Sequence, residues 1–563
     1  MATDDQRRHL PPHGGIVVVH RMEDWRGRLR RRCRRPAGTI GGVAEVDRIA
    51  DELHRAVTAR FPVVATLLGV PGYDDRLTDY SEEGDERFAE ELRDIAARAE
   101  AVDPGPLAVT DRVTRTMIGQ QASALRDQVA QRWVEFTVSD LILTPVPILL
   151  HALADARLDT GQRRADHERR LAAMPAFFDT LARRHRDGIR AGRRPVARLV
   201  RQAIAQLDAN AHLPGVREYR DALAADVLPH GRDDDRAGVC HLPGGEELYA
   251  AAARRHTTTD LTPDRLHDMG LEVLDGLAEE YAVLGREVFG TSDVHEVFAG
   301  LRDVPKWRGA DEMLTAARAA VRRAEAAAPA WFRAVPAERC AVRPYPEGTP
   351  ATTPPSYLAG TVDGSRPGTY SVNPAQLDGR HTAEAPAFHE TVPGHHFDGA
   401  RRMARTDLSV WRRTAGVSAF AEGWALYAER LADEMGLYSD ALSRLGMLTF
   451  DSMRAGRLVV DTGLHAFGWT RDRAVEFLRA TTPMAEHLVQ SEVDRYLADP
   501  GQALAYMVGR LEVQRLRRDA ERRLGGAFDV RDFHEVVLSE ARVPLSTLAD
   551  LVRSWVQSST RRR

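Results

Sequence analysis

Residues 389–396 read His389-Glu-Thr-Val-Pro-Gly-His-His396, and whether this stretch can close on a metal decides how the whole chain is read. Three imidazoles and a carboxylate within eight residues have the composition of a zinc site that carries its own general base. In the common H-E-x-x-H pattern the two histidines share one helix face, and the Glu between them activates the metal-bound water. Here Pro393 stands where the second histidine would be.

On a regular helix, with about 100° and 1.5 Å per residue, His395 points about 120° away from His389. His396 shares its face but lies about 10.5 Å further along the axis. Neither arrangement serves Zn–N bonds of about 2.0–2.1 Å. Pro393 removes a hydrogen-bond donor, and its ring meets the carbonyl of residue 389. Gly394 is free to take up the distortion. The sequence therefore predicts a bulge or kink that returns a later histidine to His389.

A catalytic zinc normally has three protein ligands and an open position. The candidate for the third is Glu422, in Ser418-Ala-Phe-Ala-Glu-Gly-Trp-Ala-Leu-Tyr-Ala-Glu429. A carboxylate among Phe420, Ala421, Trp424 and Ala425 is costly unless paired or metal-bound. Glu429, two turns on and near the same face, is a candidate supporting partner. Three further His-Glu pairs, at 167, 295 and 534, have no histidines beside them and read as solvated helix positions.

Composition bounds the rest. With 563 residues, 43% hydrophobic and 28% charged, the chain can bury a large core. Abundant Ala, Leu and Arg with few aromatics favour helix. Seventy-eight basic and 82 acidic residues give a net charge of −4, so no global field invites nucleic acid. Cys33, Cys240 and Cys340 lie far apart, which argues against a disulfide framework and for a reducing cytoplasm. No apolar run approaches a membrane helix; Leu141–Leu150 is short and holds Pro145 and Pro147.

Residues 1–40, with an Arg-dense run at Arg26–Arg35, are expected to form a disordered leader. Residues 41–563 then make one large, mainly α catalytic domain. Within it, residues 340–376 read as short strands cut by Pro and Gly. The strand at Thr369–Asn373 is expected to offer an edge to an extended peptide, or to be purely structural. Helices resume at about 385, and those carrying the metal-site residues occupy about 385–435. No G-x-S-x-G elbow, phosphate-binding loop or dinucleotide fingerprint is present.

Four motifs in order, H-E-T-V-P-G-H-H, E-G-W-A-L-Y-A-E (422–429), Arg457-Leu-Val-Val-Asp-Thr-Gly-Leu-His465 and Tyr506-Met-Val-Gly-Arg510, resemble the bacterial domain of unknown function 885, grouped with zincin-type metallopeptidases. The resemblance runs from about residue 45 onward. It implies a two-lobed helical body with the small sheet beside an active-site cleft and one zinc per chain. His389, His395 and Glu422 would be the ligands and Glu390 the general base. Tyr506 and His465 match family positions and are candidates for stabilising an oxyanion. Core packing for Tyr506, and an orienting or ordinary helix role for His465, stay open.

The resulting expectation is a zinc metallohydrolase, a peptidase for short peptides. Hydrolysis of a small non-peptide amide or ester, or a non-catalytic metal-binding scaffold, are the alternatives. No nucleic-acid or membrane partner is expected, and the sequence leaves oligomeric state open.

Overall fold

Two helices buried on nearly every face organise the interior, Ser418–Glu434 and Ala441–His465. The computed structural model describes residues 40–561, apart from 142–143, 348, 350, 352, 363 and 377–378. The Arg-dense leader lies outside the described residues.

The fold is mainly helical from Ile40 to Arg561. Three short strands interrupt it: β1 (Ala341–Pro344), β2 (Ser356–Leu358) and β3 (Thr369–Val372). Their order is β1-β3-β2, with β1 parallel and β2 antiparallel to β3. This corrects one expectation. Thr369–Val372 is the central strand, hydrogen-bonded on both sides, so the edges belong to β1 and β2. Thr369, Tyr370 and Val372 are all buried, as suits a strand covered on both edges.

Helix Ser418–Glu434 lies against Ala505–Leu524 with almost no space between backbones. A Cβ on Gly423 would meet the Gly509 Cα at 2.4 Å, and one on Gly509 would meet the Ala419 carbonyl oxygen at 1.9 Å. Only hydrogen fits at either position. Helix Pro263–Phe289 covers another side of Ala441–His465, where a Cβ on Gly270 would meet a Val459 methyl carbon at 2.6 Å.

A fully buried helix must find partners for its polar side chains. Along Ala441–His465, Asp451 accepts from Arg430 and Arg510, each at 2.5 Å. Arg457 donates to Glu492, and Asp461 accepts from Tyr249 at 2.6 Å and from the Gly501 N–H. Arg454 and Arg457 each keep one terminal nitrogen, Nη1, without a partner among the described residues. Among the described residues, no helix is long and apolar enough to cross a membrane.

Candidate metal centre

The octapeptide is a complete break in the helix rather than a bulge. One helix ends at Glu390 and the next begins at His395. Between them the peptide preceding Pro393 is cis. The extra residues are looped out by two wide hydrogen bonds, Gly394 N–H to the Phe388 carbonyl (3.1 Å) and Phe397 N–H to the Thr391 carbonyl (3.2 Å). Gly394 passes so close to His389 that a Cβ would lie 1.9 Å from its carbonyl oxygen, so residue 394 must be glycine. Trp424 Nε1–H donates to the Pro393 carbonyl at 2.9 Å, tying the break to the helix that carries Glu422.

The break does what the sequence required of a bulge. The His389 and His395 rings lie 4.7 Å apart at 84°. Both Nε2 atoms face Glu422 Oε2, at 3.6 Å from His389 and 3.3 Å from His395. One ligand atom from each of the three residues falls within 4.8 Å of the others. Burial acts to raise Glu422, but His395 and His389 outweigh it and hold the carboxyl well below its usual range. Two imidazole nitrogens and a carboxylate oxygen are a donor set suited to zinc with a position left open.

The surroundings of His389 fix its tautomer. Nδ1 lies 2.7 Å from Oε1 of fully buried Glu429, which also accepts from Arg454 Nη2 at 3.1 Å. A carboxylate there keeps the proton on Nδ1 and leaves the Nε2 lone pair free for a metal. His396 is turned away, with Nε2 on the Glu338 carbonyl (3.0 Å) and Nδ1 near the Tyr357 hydroxyl (3.3 Å); it supports the sheet-to-helix contact.

Glu390 sits at the end of its helix, partly buried. Burial pushes its carboxyl up to about 7; Glu422 and Glu429 act in the same direction, and His395 and Arg454 against it. The same charge acts to raise Cys340 and Tyr345, which flank β1, and Tyr370 of β3.

Tyr506 is close by. Its ring lies 6.4 Å from that of His389 and within 18° of parallel, and its hydroxyl accepts from Arg495 at 2.8 Å and Gln502 at 3.4 Å.

His465 is elsewhere, and this corrects its candidacy. It lies eleven residues beyond Arg454 on one helix, about 16 Å along the axis. Its Nδ1 accepts from the Val239 N–H at 3.2 Å, and its Nε2–H donates to the Tyr496 carbonyl at 3.0 Å. Burial lowers it to about 3. A neutral ring with both nitrogens committed to backbone has nothing left to offer an oxyanion. His534, expected in solvent, is also buried, bridging the Trp331 carbonyl and the Tyr427 hydroxyl at 3.0 and 2.8 Å.

Sequence reading missed Arg454 and Arg495. The available signal was a run of charged residues, Asp451, Arg454, Arg457 and Asp461, spaced at helical intervals among apolar ones.

The sequence profile of a family described as "Bacterial protein of unknown function (DUF885)" matches residues 62–215 and 208–552. The chain belongs to this family. Comparison with curated proteins gives no match. Among solved structures, a "putative lipoprotein" from Colwellia psychrerythraea aligns over 92% of this chain and 100% of its own, with a TM-score of 0.85 and 23% identity. A "putative lipoprotein of unknown function" from Shewanella oneidensis aligns over 90% of this chain and 99% of its own, with a TM-score of 0.71 and 16% identity. At these identities the likeness is one of fold.

Proposed function

We propose that this DUF885 member is a zinc-dependent metallohydrolase that cleaves short peptides. The observation that carries the reading is the convergence of His389, His395 and Glu422 within 4.8 Å, with Nδ1 of His389 held by Glu429. When bound, zinc would lower the pKa of a coordinated water to about 7 and polarise a carbonyl. Glu390, adjacent in sequence to one ligand and within electrostatic reach of the other two side chains, would take the proton of the attacking water and deliver it to the leaving amine. Tyr506, whose oxygen accepts from Arg495 and Gln502, would turn its O–H toward an oxyanion.

The peptide substrate is supported by the sheet. β1 pairs only with β3 within it, and its neighbours Cys340 and Tyr345 feel the charge of Glu390. An edge strand there suits an extended backbone. A cytoplasmic location is part of the same reading, supported by the free thiols of Cys240 and Cys340; the lipoprotein names of the two structural neighbours make cell fractionation the deciding measurement.

The test of the activity is digestion of a peptide library with and without chelator, read by mass spectrometry alongside metal analysis. About one zinc per chain and chelator-sensitive cleavage are expected. Protein from zinc-replete medium that carries no metal would overturn the reading.

A further inference from the structure

Arg454 and Arg457 lie three residues apart, on neighbouring turns of Ala441–His465, and are 6% and 3% exposed. Arg454 Nη2 lies 3.1 Å from Glu429 and 3.5 Å from His389 Nδ1. Arg457 donates through Nε and Nη2 to Glu492 at 3.0 and 2.7 Å. Its guanidinium carbon is 4.4 Å from the centre of the Tyr506 ring, the ring that also stacks near His389.

In both arginines the terminal Nη1 is buried and has no hydrogen-bond partner among the described residues. Most other unpartnered buried arginine nitrogens are inner Nε atoms, scattered through the protein. Here two terminal donors occur one helical turn apart, beside the candidate metal centre. Arg454, Arg457 and Arg495 pair with Glu429 and Glu492 here, and the charge of Glu390 also acts with Arg454. None of these acids bonds either Nη1 atom, and Asp451 is taken by Arg430 and Arg510, Asp499 by Arg255 and His256.

We infer that Arg454 and Arg457 bind a carboxylate of the substrate on the Tyr506 side of the metal centre. The inference rests on the hydrolase reading above and narrows its substrates to peptides that present a carboxylate shortly after the cleaved bond. Guanidinium donors match a carboxylate's oxygens in geometry and charge. The ring spacings put Arg457 within about 11 Å of His389, which about three extended residues span. The carboxylate therefore lies one to three residues beyond the scissile bond. It comes from a free C terminus or from an acidic side chain, and three probes separate these.

Isothermal titration of the full-length Glu390→Gln protein with N-acetyl-trialanine, with its C-terminal amide, and with N-acetyl-Ala-Ala-Glu amide decides the matter. The free acid is expected to bind at least ten times more tightly than the alanine amide. Tighter binding of the glutamyl amide than of the free acid keeps the carboxylate site and assigns it to an acidic side chain. Equal, weak binding of all three overturns the inference. Adding Arg457→Gln is expected to reduce the acid-to-amide preference below threefold. Arg457→Lys, which keeps the charge and a donor for Glu492, is the second variant in case the first misfolds, and is expected to lose at least half of the preference. Binding is read without turnover, so missing hydrolysis counts against the hydrolase reading alone, and absent carboxylate preference against this inference alone.

Discussion

His389 and His465 are both buried histidines in stretches that resemble the same family, yet their surroundings give them opposite characters. His389 has a carboxylate on Nδ1 and another carboxylate with a second imidazole facing Nε2. His465 has a backbone N–H on one nitrogen and a backbone carbonyl on the other. A partner on one nitrogen orients the ring and leaves the other to bind; partners on both leave none. Burial alone therefore distinguishes nothing, and whether a nitrogen is left over decides which histidine has chemistry left.

The largest effect expected from this contrast is in His389→Ala, which should lose bound zinc and all hydrolysis, whereas His465→Gln should retain about one zinc per chain. Plasma emission spectrometry on the two proteins compares them directly; loss of metal in both would erase the distinction. Next, Glu390→Gln should keep its metal but lower kcat/KM by about 10²–10⁴-fold. Undiminished turnover there would remove Glu390 as the base. Glu429→Gln tests the partner argument itself. It should weaken zinc affinity by about 10–100-fold, measured by competition with a chromogenic chelator, with the His389 ligand still in place.

The smallest effect is thermodynamic. Burial holds His185 and His381 at about 4, and His465 and His534 at about 3, below the 6.5 of an unfolded histidine. The unfolded chain then binds more protons than the native one below pH 6.5, so stability is full above that pH and falls as pH drops. The fall ends once the folded values are passed, near 3–4. Each such group contributes a slope of up to about 1.4 kcal/mol per pH unit. His465→Gln should shallow the pH dependence of urea unfolding by about one proton's worth, and an unchanged slope would show that His465 is not buried neutral.

How much of this was legible follows from which interactions are local. The octapeptide announced itself because its donors are adjacent and Pro393-Gly394 forbids a regular helix. Glu422 was legible because a carboxylate stood in an apolar helix. The extent of the break was not, since the looped-out hydrogen bonds to Phe388 and Thr391 have no signature in residue type. His465 misled because one helical turn of spacing from Asp461 says nothing about which helices pack alongside; Val239 and Tyr496 come from distant segments. Likewise the strand at Thr369 was recognisable as a strand, but its central place depends on pairing with β1 and β2 across long connections.

The contact of Gly423 with Gly509 has a use for experiment. Glu422 is the residue next to a point where two backbones touch, so excluded volume fixes its backbone independently of the histidines its side chain meets. A methyl group introduced as Gly509→Ala, inside van der Waals range of the Ala419 carbonyl, acts as a shim. It would move a ligand while every ligand's chemistry stays the same, separating the dependence of metal affinity on distance from its dependence on donor type.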